Sequence, residues 1–311
     1  MEKEKHPNKP EGEYDMKLLQ AFSVVSCSLG LLTLTGCGGG GSSTDTANDI
    51  APQPFSESGL SAGFDVEISD GTVTVTDQGI SSNSTAEIEY NSNGDVQSVS
   101  VTTPKGTIDW NDNSGTINPI TDNSVILVSS DDRSKLGAFS DPYNAGFDYQ
   151  TFGIWFNKVD DSNRSFEAIT IGTLTPDSAI PSTGSATFNG STTGFYIDTG
   201  YDDPFLTQSD LELTADFENR NVTFTTSNTQ KYNLANTAGF IDASDLDITN
   251  NTLSISEGSN KFSGQLTTDN GLTGGAEGKF YGPNAEEAGG VFSLVSTSGD
   301  SGYVGSFGAV K

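Results

Sequence analysis

The sequence predicts an all-β fold, a small N-terminal β-domain followed by an eight-stranded antiparallel β-barrel, and three observations carry that reading. Apolar residues recur at every second position in short runs, the runs are punctuated by Asn, Gly, Asp and Pro, and no apolar stretch beyond residue 54 follows helical spacing. About eight such strands in the second half, each with one apolar face, leave exposed edges that closure into a barrel removes. A barrel of that size is filled by its own side chains or encloses one small ligand.

Taken in order, Phe64, Val66 and Ile68 alternate with polar residues, Asp70-Gly71 supplies a turn suited to positive φ, and Val73 and Val75 return on a partner strand. The pattern repeats with Ala86, Ile88 and Tyr90, then Asn93-Gly94, then Val96, Val99 and Val101, and again around Thr107 to Trp110. Residues 55–140 are therefore expected to form the small domain, and residues 141–311 the barrel. In the second half, strands are expected at Thr151 to Asn157, Phe166 to Leu174, Ser185 to Asn189 and Gly194 to Asp198. Leu211, Leu213, Ala215 and Phe217 alternate with acids, and Asn219-Arg220 turns the chain into Val222 and Phe224. Further strands are expected at Thr252 to Ile255, Lys261 to Leu266, Gly274 to Tyr281, Gly289 to Thr297 and Ser301 to Val310. Glycines crowd this last part, which predicts strong curvature and close backbone approach.

The N-terminus reads as an export signal. Met1 to Asp15 is polar with five acids, Met16-Lys17 opens a basic segment, and Leu18 to Leu34 is mostly apolar and uncharged. Met16 is the expected start rather than Met1. The apolar run is short for a spanning helix and ends in Leu34-Thr35-Gly36-Cys37, an apolar residue and two small ones before a cysteine, the pattern of a lipoprotein cleavage site. Residues 1–36 are expected to be removed and Cys37 acylated, and at about 0.8 kcal/mol per buried methylene several acyl chains make such an anchor permanent. Gly38 after the cysteine points to the outer membrane. Residues 37–54, rich in Gly, Ser, Thr and Asp, read as a flexible tether.

Removing that leader takes away His6, Cys27 and both methionines, so the remaining body holds no histidine, no methionine and one cysteine. Imidazole and thiolate chemistry is thereby excluded, and with it most hydrolase, redox and soft-metal functions. A carboxylate pair could still work as glycosidases do, but no pair stands out among so many acids. The chain is not expected to be an enzyme, and no cofactor or metal ligand set is assigned. Haem would have to be held by a tyrosinate. The 311-residue chain carries 14 Lys and Arg against 42 Asp and Glu, a net charge of −28, which makes nucleic acid and anionic lipid poor partners. Solubility is the simpler account of that charge and attraction to a basic partner or to Ca²⁺ the sharper one, with Asp160-Asp161, Asp202-Asp203 and Asp245-Leu246-Asp247 as weak candidates for the cation.

One segment is specific. Gly278-Lys279-Phe280-Tyr281-Gly282-Pro283-Asn284-Ala285-Glu286-Glu287-Ala288-Gly289-Gly290-Val291-Phe292 closely resembles the barrel signature of the transferrin-binding protein B family. Tyr303 to Ala309 is similar to that family's closing strand, and Tyr149 to Trp155, Ala186 to Gly194 and Ala215 to Val222 agree, so the resemblance runs from Asp141 to Lys311. It implies a lipid-anchored outer-membrane protein, often on the cell surface, with a β handle domain beside the barrel. In that family two-lobed members capture host transferrin, whereas single-lobe relatives bind haem or complement factor H, or have no known ligand. This chain has room for one lobe. The expected function is thus to bind an extracellular protein or a haem iron source, as a monomer, with a structural or adhesive Ca²⁺-binding role as the alternative.

Within the signature, Phe280, Tyr281, Gly282, Pro283, Gly290 and Phe292 are expected to shape a strand-turn-strand corner, and Glu286 to cap backbone groups there. Ligand contact is expected from loops. The best candidate is Thr199 to Ser209, where Tyr201, Phe205 and Leu206 sit among turn formers and acids.

Overall fold

The computed structural model describes residues 54–111, 125–130, 134–143, 145–199, 204–234 and 239–311. The leader, Cys37 and the tether up to residue 53 lie outside them, as do Tyr201, Asp202 and Asp203. The chain folds as two curled antiparallel sheets.

The first sheet contains β1 (Phe55–Ser69), β2 (Thr72–Tyr90), β3 (Val96–Thr103), β4 (Gly106–Asn111), β5 (Val125–Ser129), β6 (Lys135–Ser140), β7 (Gln150–Lys158) and β8 (Asn163–Gly172), in the spatial order β4-β3-β2-β1-β8-β7-β6-β5. Asp70 and Gly71 both adopt positive φ, at 51° and 75°, as the hairpin between β1 and β2 requires. The sheet curls until its two ends nearly meet, with Trp110 of β4 packed edge-on against Phe139 of β6 at 5.9 Å. Its inward face is a core of Ile88, Val99, Val101, Ile126, Trp155, Ile169 and Ile171.

The second sheet is a closed barrel of β9 (Ser185–Ile197), β10 (Phe205–Asp216), β11 (Asn221–Asn233), β13 (Asn251–Ile255), β14 (Lys261–Thr267), β15 (Thr273–Tyr281), β16 (Glu287–Val295) and β17 (Gly302–Val310). Closure comes from β10 pairing with both β9 and β11, and a two-residue strand β12 (Ile241–Asp242) lies on β11. The lumen is filled by rings, among them Phe188, Phe224, Phe262, Phe280, Phe292 and Phe307. At roughly 1.5–3 kcal/mol per buried aromatic or aliphatic side chain, this core and the one shared with the first sheet replace the disulfides the body lacks.

Two expectations are corrected here. The strands at Gln150–Lys158 and Asn163–Gly172, assigned from sequence to a barrel at 141–311, pair in the first sheet, so the sheets divide after Gly172 and not at residue 140. Alternation identifies a strand and says nothing about its neighbour. Second, Ser185 to Asn189 and Gly194 to Asp198 are one continuous strand, β9. The intervening Gly-Ser-Thr-Thr-Gly reads as a turn, but its glycines serve close approach: a Cβ on Gly190 would stand 1.9 Å from the carbonyl oxygen of Gly308. The number of barrel strands was right while its membership was not.

The sheets pack face to face through Leu60, Phe64, Ile154 and Phe166 of the first and Phe195, Val291 and Val304 of the second, with the Phe166 and Phe195 rings 5.5 Å apart. Strands β16 and β17 are consequently covered on both sides, by the lumen and by the first sheet, and are buried almost throughout.

Candidate functional site

The barrel has two ends with different chemistry. At the signature end, Phe280 and Tyr281 close β15 fully buried, Gly282 takes φ 83°, and Phe292 lies in the lumen. Gly282 cannot carry a side chain, because a Cβ would meet the Tyr149 ring at 2.7 Å. Gly290 is equally confined, with the Glu277 carbonyl oxygen 2.3 Å from where its Cβ would stand. Glu286 accepts from the Asn284 side-chain amide and from its backbone N–H, both at 2.8 Å, and these hydrogen bonds hold its carboxyl below the usual range.

The next residue, Glu287, does more. Its carboxylate accepts the backbone N–H of Asp148 at 2.5 Å and that of Tyr149 at 3.3 Å, joining β16 to the segment that enters β7. Burial pushes its carboxyl up to about 7, against the pull of those two donors. Beside it Gln150 donates to the Ala288 carbonyl at 3.0 Å, and Ser306 donates to the Gly153 carbonyl at 3.0 Å. Sequence reasoning singled out Glu286 and passed over Glu287. The available signal was the unbroken apolar run after it, which marks a strand covered on both faces.

The opposite end, the mouth, is formed where β9 leads into β10, β11 into β13, β14 into β15, and β16 into β17. Tyr196 and Phe205 pack with ring centroids 6.2 Å apart, and the Lys231 ammonium lies over both, 5.3 and 5.1 Å from their centroids. Burial raises the Tyr196 hydroxyl above its ordinary range, and the charges of Asp198, Asp245 and Asp300 push in the same direction. Deeper in, the lumen turns from rings to hydroxyls. Ser209 and Thr229 bond at 2.7 Å, Thr229 donates to Asp247 through its backbone and its hydroxyl, and the Tyr303 hydroxyl lies among Thr207, Thr192 and Ser209. A 3₁₀ turn at Ser244–Leu246 then stoppers the lumen with the fully buried Leu246.

These facts relocate two predicted ligand-loop residues. Phe205 and Leu206 are the first residues of β10 rather than loop, and both are buried, Phe205 in the lumen core and Leu206 against the first sheet. The strand begins directly after Pro204, so the expected loop, taken from sequence to run to Ser209, ends five residues earlier. The acidic candidates among the described residues have local partners. Asp160 caps Ser162 and Asn163, Asp161 pairs with Lys158 at 2.8 Å, and Asp245 and Asp247 accept from Asn270 and Thr229. Among the described residues no group of three or more His, Cys, Asp or Glu could hold a metal ion.

Residues 180–311 match the family model described as the C-lobe and N-lobe beta barrels of Tf-binding protein B. The second sheet is therefore similar to the barrels of transferrin-binding protein B, as the signature implied. The match begins after β8, in agreement with the sheet boundary. Similar solved structures include transferrin binding protein B from Haemophilus parasuis Hp5, as a Trp-176-Ala mutant, at 14% identity and TM-score 0.41, covering 81% of this chain and 45% of that one. Another is a protein described as a surface lipoprotein, at 15% identity and TM-score 0.42, covering 81% and 98%. A third is the isotype 1 transferrin binding protein B of serogroup B Neisseria meningitidis, at 16% identity and TM-score 0.43, covering 81% and 43%. The chain thus spans less than half of the two transferrin-binding chains. No curated protein matches it.

Proposed function

We propose that this chain is a lipid-anchored surface protein of the outer membrane that captures an extracellular ligand, a protein or a haem iron source, through the mouth of its barrel, and that it works by binding rather than by catalysis. The observation that carries this reading is the contrast between a lumen filled by phenylalanine rings and a mouth that presents Lys231 over Tyr196 and Phe205 within a ring of acids. A packed lumen leaves contact to the outer surface of that end. The family model supports a binding role, and the Leu34-Thr35-Gly36-Cys37 pattern supports the anchor.

Two measurements test it. Cells producing the full chain should incorporate labelled palmitate into it in a Cys37-dependent manner and lose it to externally added protease. The purified chain should then bind iron-loaded transferrin or shift the Soret band of haemin, and Lys231→Glu should weaken whichever response is seen. An unlabelled, protease-resistant protein would end the surface reading. Binding that ignores Lys231→Glu would move the contact away from the mouth.

A further inference from the structure

The curled first sheet is not sealed along its whole length. Along β8 the inward residues change from Ile171 and Ile169, which belong to its core, to Glu167 and Ser165 towards one end. There β1, β3, β4, β7 and β8 enclose a cleft of about 250 Å³. That is room for about eight waters, or for a small organic molecule.

The cleft has a built floor. Glu167 is 7% exposed and its Oε2 accepts from the Thr103 hydroxyl at 2.9 Å. It lies opposite Gly63 in the register of β1 and β8, and a Cβ on that glycine would come within 2.9 Å of the Glu167 Cγ. The glycine therefore makes space for an inward carboxylate where an alternating strand would place an apolar side chain. Burial raises the Glu167 carboxyl above its ordinary range, and Thr103, Lys105 and Trp155 do not fully offset that. At the rim Lys105 pairs with Asp65 at 2.5 Å, so the cleft holds two carboxylates and one ammonium. The other wall is apolar, made by Trp155, Ile108 and Val159, the last of which is 66% exposed and is among the few large hydrophobic side chains left in solvent.

A negative floor beside an apolar wall matches one ligand chemistry. We propose that this cleft binds a small primary alkylammonium, its cationic head against Glu167 and Asp65 and its hydrocarbon along Trp155, Ile108 and Val159. A neutral polyol could use the free lone pairs of Glu167 but would leave its buried charge uncompensated. An anion would meet two carboxylates in a chain whose overall charge is −28. This site lies in the first sheet and does not depend on the role assigned to the barrel mouth.

The chain's two tryptophans provide the readout, since Trp155 lines the cleft and Trp110→Phe leaves it as the sole tryptophan, excited selectively over the tyrosines. The full chain would be titrated with n-butylammonium and with putrescine to about 10 mM, at constant ionic strength, with n-butanol and glycerol as neutral controls. The expected result is a saturable emission change with the two amines and none with the controls, weakened about tenfold or more by Glu167→Gln. Val159→Lys, a rim change outside the packed core, should weaken amine binding several-fold whether or not Glu167→Gln folds. Absence of a saturable response to either amine overturns the proposal, as does an equal response to n-butanol or glycerol. Amine binding unchanged in Val159→Lys, or in a folded Glu167→Gln, overturns it as well.

Discussion

The two ends of the barrel are held by opposite means. At the signature end, glycines bring backbone against backbone and ring, and a buried carboxylate fastens β16 to the approach to β7. At the mouth, side chains make the contacts: the Thr229 hydroxyl donates to Asp247, and one ammonium spans two rings. The first arrangement admits almost no substitution, which is why it is legible as a motif. The second rests on side-chain contacts that can be altered one at a time.

Comparing one glycine from each end is the strongest way to break this contrast. Gly290→Ala places a methyl 2.3 Å from the Glu277 carbonyl oxygen and 2.5 Å from the Phe307 ring, so a loss of about 3–5 kcal/mol is expected. Gly271→Ala, near the mouth, adds a methyl to open space and pays only for its φ of 91°, roughly 1–2 kcal/mol. Thermal melts of the two variants should differ accordingly, and equal losses would erase the distinction.

The Glu287 latch comes next. Glu287→Ala strands the backbone N–H groups of Asp148 and Tyr149, for an expected loss of about 2–3 kcal/mol. Its titration also has a definite sign. The folded carboxyl sits at about 7, above its ordinary 4.5, so the folded protein holds that proton more tightly than the unfolded chain does. Glu287 therefore favours folding most below the unfolded value, and this contribution declines as pH rises from 4.5 to about 7. Denaturant titrations at the two limits should show that decline in the parent and a flatter profile in Glu287→Gln. A parent profile that rises across the window would contradict the assignment.

The smallest effect is expected at the mouth. Lys231→Leu removes a cation from two rings and should cost about 0.5–1 kcal/mol, with a melting temperature within a few degrees of the parent. A collapse of the fold in this variant would mean that the mouth, too, is part of the scaffold.

Much of the fold was readable in the sequence because alternation and turn chemistry act locally. Asp70-Gly71 and Asn219-Arg220 turn the chain where their residue types said they would, with positive φ at Asp70, Gly71 and Arg220. What could not be read was partnership. Nothing in Gln150–Lys158 distinguishes a seventh strand of the first sheet from the first strand of a barrel, and Gly190 and Gly194 look like turn residues until β17 lies against them. The candidate site was legible only in part. Tyr196 and Lys231 sit on different strands and meet at the mouth only because β10 bridges β9 and β11. Phe205 and Leu206 were noticed for their aromatic and aliphatic character, which here reflects burial on the two faces of one strand.

The position of β1 has a mechanical consequence. The first described strand is not an edge: it is laddered to β2 from Phe55↔Ile88 to Ser69↔Thr72 and to β8 from Gly59↔Ile171 to Glu67↔Asn163. A force drawn through residue 54 would have to break the ladders of β1 to two neighbours, instead of peeling an edge strand from one. Such a geometry suits a domain pulled from its N-terminal side, since rupture under load follows the barrier to unfolding rather than the equilibrium stability.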